Sequence, residues 1–169
     1  MPALPALLAR DGSWAAYGTL DLRQGLALDL WLLLETLEPG QALVDTRDQN
    51  GAGLALVTTA AGAVEIVLND GRCEQRWRSD SGVLRAGELQ HVVASVDGGP
   101  KIITFVVDGV LCDGGAERQF GWGRFSPHLR TPQGRSTASL SPAVQGLRVY
   151  GRYLRTSEAI SNYRAGLEG

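Results

Sequence analysis

The stretch HVVASVDGGPKIITFVVDG, residues 91–109, decides the fold of this chain. It contains two runs rich in β-branched residues, 91–96 and 102–107, and such runs are typical of strands. The residues between the runs, Asp97-Gly98-Gly99-Pro100, have the chemistry of a turn, and Asp108-Gly109 closes the second run in the same way. The stretch therefore predicts an antiparallel hairpin, which a short strand at 110–112 continues.

An alternating pattern predicts another strand upstream, at residues 26–34. Leucine occupies every even position, and this period of two places the leucines on one buried face. The other face carries Ala27, Asp29, Trp31 and Leu33, so we expect it to be partly buried, with Trp31 in the core. This apolar run has strand length and is interrupted by Asp29, so the chain offers no membrane span.

Turn residues delimit further short strands. The runs 53–58 and 63–68 are joined by Thr59-Ala60-Ala61-Gly62, which indicates a hairpin, and Asn69-Asp70-Gly71 makes a tight turn into a strand at 72–79. Short strands at regular spacing, without a repeat of 20–50 residues, indicate an all-β, two-sheet antiparallel sandwich or jelly roll.

The C-terminal third of the sequence is less regular. Residues 114–142 contain Gly, Pro, Ser and Arg with few apolar residues, and long loops of this kind are often functional. A last strand is predicted at 144–150. After it, Thr156-Ser157-Glu158 provides a hydroxyl N-cap and an acid in the first turn of a short helix that runs to about Tyr163.

Composition limits the class of protein. The 169 residues are 44% hydrophobic and 20% charged, with 22 Gly and 7 Pro, which suits one soluble domain with many turns. The net charge of -2 provides no basic surface for nucleic acid. Residues 1–13 lack the basic and apolar regions of a signal peptide, so we interpret them as a linker or extension before a domain at 14–169.

Five stretches together resemble the concanavalin A-like lectin/glucanase superfamily, in its bacterial laminin-G-like, pentraxin-type branch. They are similar to that family's early strand with a Trp, its His-Val strand ending in Asp-Gly, its Val-Asp-Gly strand, its final strand and its terminal helical turn. In this chain they are residues 26–34, 90–98, 103–109, 145–154 and 157–163. One departure is Leu89-Gln90, where the family usually has a Trp before the His. The resemblance implies a jelly roll in a secreted or extracytoplasmic protein.

Catalysis is not expected. The resemblance implies that hydrolases on this fold carry paired carboxylates on one strand in the pattern Glu-x-Asp-x-x-Glu, which is absent here. A retaining pair must sit about 5 Å apart and on the same side of the strand. The pairs Glu35/Glu38 and Glu65/Asp70 lack matching parity. We interpret His91 as a packing or hydrogen-bonding residue.

The resemblance also makes calcium possible as a cofactor, because several laminin-G-like domains bind it at one end of the sandwich. The best oxygen-rich loop is residues 45–51, with Asp45 and Asp48 as candidate ligands. Arg47 places a positive charge inside this loop. The alternative is an Asp/Asn/Gly turn whose side chains cap their own backbone. For Cys73 and Cys112 we favour two separate thiols over a disulfide.

Residues 120–130, FGWGRFSPHLR, are the strongest candidate for a ligand surface. An exposed aromatic ring stacks on sugar C–H faces, and planar polar groups bind hydroxyls. We assign these roles to Trp122, Arg124, His128 and Arg130. The alternative is that Phe120 and Phe125 pin the loop and that Trp122 packs beneath it. Trp77 is a second candidate contact, on a strand.

Three functions are consistent with these patterns. The first is a non-catalytic carbohydrate-binding module, which the resemblance implies is an accessory domain beside the catalytic domain of a secreted glycan-active enzyme. The second is a protein-interaction or structural spacer domain without a sugar site, and the third is a divergent glycosidase. An exposed Trp122 with a polar groove favours the first, buried tryptophans or a large apolar patch favour the second, and two carboxylates facing each other in a cleft favour the third.

Overall fold

The computed structural model describes residues 22–135 and 138–168. Within them lie eleven strands and one helix. The elements are β1 (Leu26–Leu33), β2 (Ala42–Asp45), β3 (Gly53–Thr58), β4 (Val64–Asn69), β5 (Glu74–Arg78), β6 (Leu89–Asp97), β7 (Ile102–Val107), β8 (Val110–Leu111), β9 (Gly123–Arg124), β10 (Ser139–Leu140), β11 (Val144–Tyr150) and α1 (Thr156–Glu168). The predicted linker at residues 1–13 and Trp14 fall outside the described residues.

The strands form the predicted two-sheet antiparallel jelly roll. One sheet has the order β11-β1-β6-β7-β8, with β9 also paired to β7, and the other has the order β10-β2-β3-β4-β5. The hairpin that residues 91–109 predict is present as β6 and β7, in a register that places Ala94 opposite Phe105. Consecutive strands pair from β2 to β5 and from β6 to β8, whereas β1 pairs with β6 and β11, and β10 pairs with β2.

The core lies between the sheets. The even-numbered leucines of β1 are buried there with Leu56, Ile66 and Phe105, as the alternation predicts. A second apolar cluster lies on the outer face of the six-stranded sheet, where Ala27, Val93 and Tyr150 pack against Ala159 of α1. Both faces of β1 and β6 are therefore covered, which explains their nearly continuous apolar sequences.

Several details differ from the prediction. The helix reaches Glu168 rather than ending near Tyr163, and its first turn is closed by Glu158, whose Oε2 accepts the N–H of Arg155 at 2.8 Å. The region 114–142 contains the short strands β9 and β10, and β2 was not predicted. All three are short or lack alternation, so they carry little periodic signal.

Two further findings concern the cysteines and possible membrane spans. Cys73 and Cys112 are free thiols, as favoured above. Among the described residues, no helix is long and apolar enough to cross a membrane.

Candidate ligand-binding surface

A loop of residues 113–121, here called the bridging loop, connects β8 of one sheet to β9 and reaches across to β5 of the other sheet. Asp80, just after β5, accepts the backbone N–H of Gly114 at 2.9 Å and of Asp113 at 3.1 Å. The Arg118 guanidinium donates to Asp80 Oδ1 at 2.9 Å and to the carbonyl of Arg78 at 2.8 Å. These charge-assisted bonds hold the loop firmly to the edge of the second sheet.

Trp77 lies at the base of the bridging loop. Its Nε1 donates to the carbonyl of Gly121 at 3.3 Å, and the Arg118 guanidinium lies 4.5 Å from its ring centroid. Gly123 packs so closely that a Cβ atom there would lie 2.3 Å from the ring. Trp77 is therefore half-buried against the core, and its contacts are those of a packed side chain that supports the loop.

Trp122 points the other way, out of the molecule. It is 37% exposed and stacks on Phe120, which is 49% exposed, with ring centroids 5.0 Å apart and planes at 23°. We call this pair the aromatic platform. Its neighbours Gly121 and Gly123 are buried, because Gly121 packs on the carbonyl of Cys112 and Gly123 on Trp77. The platform thus stands on backbone that is fixed on its inner side.

The rest of the predicted loop follows an alternation of anchored and exposed residues. Phe125 and Leu129 are buried, while Arg124, His128 and Arg130 are exposed. The backbone N–H of Phe125 donates to the carbonyl of Lys101 at 3.0 Å. Trp122, Arg124, His128 and Arg130 are thus all presented outward. Of the alternative interpretation only the Phe125 part holds, because Phe120 is exposed and Trp122 does not pack beneath the loop.

The four exposed residues do not converge on one cavity. Trp122 lines a small apolar cleft with Thr104 and Leu111, whereas Arg130 lines a separate polar groove beside Lys101. Arg124 and His128 line neither concavity. The structure therefore divides the predicted site into an aromatic part and a basic part.

In the loop predicted to bind calcium, residues 45–51, the carboxylates of Asp45 and Asp48 already accept hydrogen bonds from nearby groups of the chain. Arg47 donates to both carboxylate oxygens of Asp45, at 3.0 and 2.9 Å. Burial by itself raises the pKa of Asp45, but these bonds hold it below its ordinary value. Asp48 Oδ1 accepts the N–H groups of Asn50 and Ala52. A calcium ion would have to displace an arginine and break an Asx turn, so this donor set does not fit the ion.

The described residues contain no group of three or more His, Cys, Asp or Glu side chains that could hold a metal ion.

The sequence analysis missed a buried polar network beneath α1. His91 is fully buried, and its Nε2 lies 2.6 Å from Asp29 Oδ1. Asn162 of the helix donates to Asp29 Oδ2 at 2.7 Å and to the Tyr150 hydroxyl at 3.0 Å. The signal was an aspartate and a histidine in apolar strands that pair with each other, because buried polar groups require partners.

The His91 ring itself is enclosed, whereas Asp29 and Asn162 also line a cavity of about 290 Å³ beside α1. Trp31 and Tyr163 pack against the His91 ring, with centroids 4.8 and 5.8 Å away. Trp31 therefore lies on the helix-covered face rather than between the two sheets, which corrects its predicted place in the core. An imidazole enclosed in this way ties the helix to the sheet.

The sequence of residues 10–160 matches the Laminin_G_3 model, described as the concanavalin A-like lectin/glucanases superfamily. The chain belongs to this family. Membership accounts for the two-sheet jelly roll and agrees with the resemblance of the five stretches quoted above. A search of curated proteins gave no significant match.

Solved structures share the concanavalin A-like fold with this chain. The carbohydrate-binding module of family 40 from a Ruminococcus gnavus IT-sialidase, bound to α2,3-sialyllactose, is 15% identical with a TM-score of 0.65, and the match covers 88% of this chain and 86% of that module. A botulinum neurotoxin type C structure, whose title states that cell entry depends on two ganglioside molecules, is 11% identical with a TM-score of 0.64 over 89% of this chain.

A third structure is the binding domain of botulinum neurotoxin DC in complex with rat synaptotagmin II, which is 11% identical with a TM-score of 0.64 over 92% of this chain. This chain spans only 37–39% of the botulinum neurotoxin structures it matches. At these identities the likeness to solved structures is one of fold. The description of the family names both lectins and glucanases, and the titles of these three neighbours name sialyllactose, gangliosides or synaptotagmin II.

Proposed function

We propose that this domain binds glycans without hydrolysing them, as an accessory domain of a secreted glycan-active enzyme. The observation that carries the proposal is the aromatic platform, Phe120 and Trp122, which presents two stacked rings to solvent. A sugar ring has an apolar C–H face, and stacking on an aromatic side chain buries that face.

The backbone beneath the aromatic platform is held in place, and this favours ligand binding. Its backbone is held on the inner side by Trp77 and by the carbonyl of Cys112. A surface that is already ordered loses little conformational entropy when a ligand binds, so more of the contact energy appears as affinity. The match to the sialidase module extends over nearly the whole of both domains, and that module was solved with a bound oligosaccharide.

Protein interaction is the second candidate function. Val110 and Leu111 of β8 are 68% and 43% exposed, and Leu111 shares the small cleft with Trp122. Neighbouring exposed apolar residues of this kind are typical of protein-binding surfaces. One structural neighbour was solved in complex with synaptotagmin II, although this chain matches only 38% of that protein.

A glycan array tests the proposal. The purified domain is applied with and without EDTA, and we expect binding to at least one class of glycan that EDTA leaves unchanged, because Asp45 and Asp48 are already bonded within the chain. The Trp122→Ala variant is expected to lose at least tenfold in affinity on any positive glycan.

The other outcomes separate the alternatives. Absence of binding to every glycan contradicts the proposal and favours protein interaction. Binding that Trp122→Ala leaves intact contradicts the platform as the site while leaving the class of function in place. Loss of binding in EDTA contradicts the assignment of Asp45 and Asp48 to internal bonding.

A further inference from the structure

A small cleft lies directly beside the aromatic platform, and we call it the Trp122 cleft. Leu111, Phe120 and Trp122 line it with apolar side chains, and Thr104 and Asp113 provide its polar ones. Its volume is about 190 Å³, below the roughly 300–1,000 Å³ of pockets that enclose a drug-sized ligand. A space of this size suits one substituent of a ligand rather than a whole oligosaccharide.

The backbone behind this cleft is held by the core and by the bridging loop. Cys112 is 4% exposed, and its N–H donates to the carbonyl of Phe105 at 3.0 Å. Gly121 is buried and packs on the carbonyl of Cys112. The N–H of Asp113 donates to Asp80 Oδ2 at 3.1 Å. The cleft is therefore formed before a ligand arrives, and its polar groups start from fixed backbone.

The hydroxyl of Thr104 is the first polar group of the cleft. Ile103 and Phe105, its neighbours in β7, are buried between the sheets, so the alternation of the strand places Thr104 on the outer face. Ser95 lies opposite Thr104 on β6, and its hydroxyl both donates to the carbonyl of Leu154 and accepts the N–H of that residue. The hydroxyl of Thr104 has no such partner among the described residues. It is available to a ligand.

The second polar group is the carboxylate of Asp113, which alone is charged among the described residues that line the cleft. This side chain is exposed, and its Oδ1 accepts the N–H of Gly115 at 2.9 Å. Its Oδ2 accepts no hydrogen bond from the described part of the chain. A carboxylate is a strong acceptor for N–H and O–H groups and repels another anion. The cleft thus favours a neutral ligand that offers a hydrogen-bond donor.

Together these groups match an acetamido group. The apolar walls suit its methyl group, whereas a hydroxyl placed against them would lose its hydrogen bonds to water. Thr104 offers an O–H donor for the amide carbonyl, and Asp113 an acceptor for the amide N–H. A 6-deoxy sugar has the methyl group without these two polar groups. A sugar with a carboxylate or sulfate at this position would meet the charge of Asp113.

We propose that the Trp122 cleft binds the N-acetyl group of a neutral amino sugar, through Thr104 and Asp113, while the sugar ring stacks on the aromatic platform. Phe120 and Trp122 belong to both the platform and the wall of the cleft, so a ring on the platform holds its substituent at the cleft. Stacking supplies affinity for the ring, and the two polar groups supply the preference for the acetamido group. This inference rests on the proposed glycan-binding function and specifies its ligand class.

NMR titrations with matched sugars, which also measure millimolar affinities, test the inference. Chitotriose and cellotriose share a backbone and differ at one position of each ring, where the first has an acetamido group and the second a hydroxyl. The methyl glycosides of N-acetylgalactosamine and galactose form a second pair. We expect the wild-type domain to bind the N-acetylated member of at least one pair at least fivefold more tightly than its partner. Methyl fucoside is expected to bind more weakly than that member.

Two variants remove one polar partner each. Thr104→Val keeps the β-branched shape, and Asp113→Asn keeps an oxygen for the N–H of Gly115, so both are expected to melt as wild type does. Each is expected to lower the preference for the N-acetylated sugar at least threefold. Their controls are Thr36→Val, at an exposed position outside the cleft, and Asp97→Asn, whose carboxylate accepts the N–H two residues on in the same way. Both controls are expected to stay within twofold of wild type.

Three results would overturn the inference. They are N-acetylated members that bind no more tightly than their partners, tighter binding of methyl fucoside than of every N-acetylated sugar, and cleft variants that behave as their controls do. The first two are measured on wild-type protein, so they do not depend on the folding of a variant. All three leave glycan binding by the platform standing, whereas absence of binding to every glycan on the array overturns the proposed function and this inference together.

Discussion

Two regions of this domain carry the side chains that usually attract functional interpretation, and they differ in how those side chains are bonded. Beneath α1, Asp29, His91 and Asn162 are joined by hydrogen bonds through Asp29, and His91 is fully buried. In the loop of residues 120–130, aromatic and cationic side chains face solvent from anchored backbone. The comparison teaches that residue type is not sufficient: a polar group satisfied within the chain stabilises the fold, and an exposed one on fixed backbone is available to a ligand.

The largest loss of folding stability is expected from Asp29→Ala. The change removes the Asp29 acceptor from His91 Nε2 and from the Asn162 amide, in a buried site where His91 Nδ1 already has no hydrogen-bond partner among the described residues. Removing one member of such a network is expected to lower the free energy of unfolding by about 3–5 kcal/mol. Urea unfolding measures the loss.

Asn162→Ala is the control that keeps the buried pair. It removes one hydrogen-bond partner of Asp29 and is expected to lower the free energy of unfolding by about 1–2 kcal/mol. If Asp29→Ala were as stable as wild type, the network would not be structural and the region beneath α1 would have to be reconsidered as a site.

A smaller loss of folding stability is expected for Trp77→Ala, because Trp77 is only half-buried. It supports the bridging loop through Gly121 and Arg118, and its removal opens a space between the sheets. We expect the free energy of unfolding to fall by about 2–4 kcal/mol in urea titration. A change below about 1 kcal/mol would contradict its role as the base of the loop.

Trp122→Ala makes the matched comparison in the same loop. Trp122 is exposed, so its truncation is expected to change the free energy of unfolding by less than about 1 kcal/mol while lowering glycan affinity at least tenfold, which is about 1.4 kcal/mol. Thermal melts and calorimetry on the two tryptophan variants measure both quantities. Equal losses of stability for Trp77→Ala and Trp122→Ala would contradict the assignment of Trp77 as a structural support and Trp122 as a ligand contact.

The smallest effect concerns Cys112, which lies behind the platform. Burial raises the pKa of its thiol from 9.0 to about 11. Because the folded pKa lies above the unfolded value, the neutral thiol contributes stability that is present below about pH 9 and is lost as the pH rises toward 11. At pH 8 we expect iodoacetamide to modify Cys73 faster than Cys112, as peptide mass spectrometry would show. Equal rates would mean that the cleft beside Trp122 opens to reagent.

Much of the fold could be predicted from the sequence, because hairpins such as 91–109 carry both alternation and turn residues within a short distance. The even leucines of β1 also identified their buried face. The sequence predicted that the second face of β1 is partly buried but not that α1 covers it, since Ala27 and Val93 lie in strands far from α1 in sequence. Strand β9 was missed because its two residues carry no period and form only by pairing with β7.

The candidate site was predicted in part. Aromatic and basic residues between glycines identified the loop of Trp122, and the structure places the named residues outward. The sequence could not reveal that Trp77 lies beneath that loop, because Trp77 and Gly121 are 44 positions apart. Nor could it reveal the polar groove beside Lys101, since Lys101 and Arg130 come from separate segments that only the folded chain brings together.

The most direct test of the central claim is an NMR titration of the labelled domain with the glycan that binds most tightly on the array. We predict that the largest amide shift changes fall on residues 120–130 and on Thr104 and Leu111, which line the cleft of Trp122, while Asp29, His91 and Asn162 stay unchanged. Shift changes centred on α1 and the network beneath it, or on the outer face of the five-stranded sheet, would contradict the account.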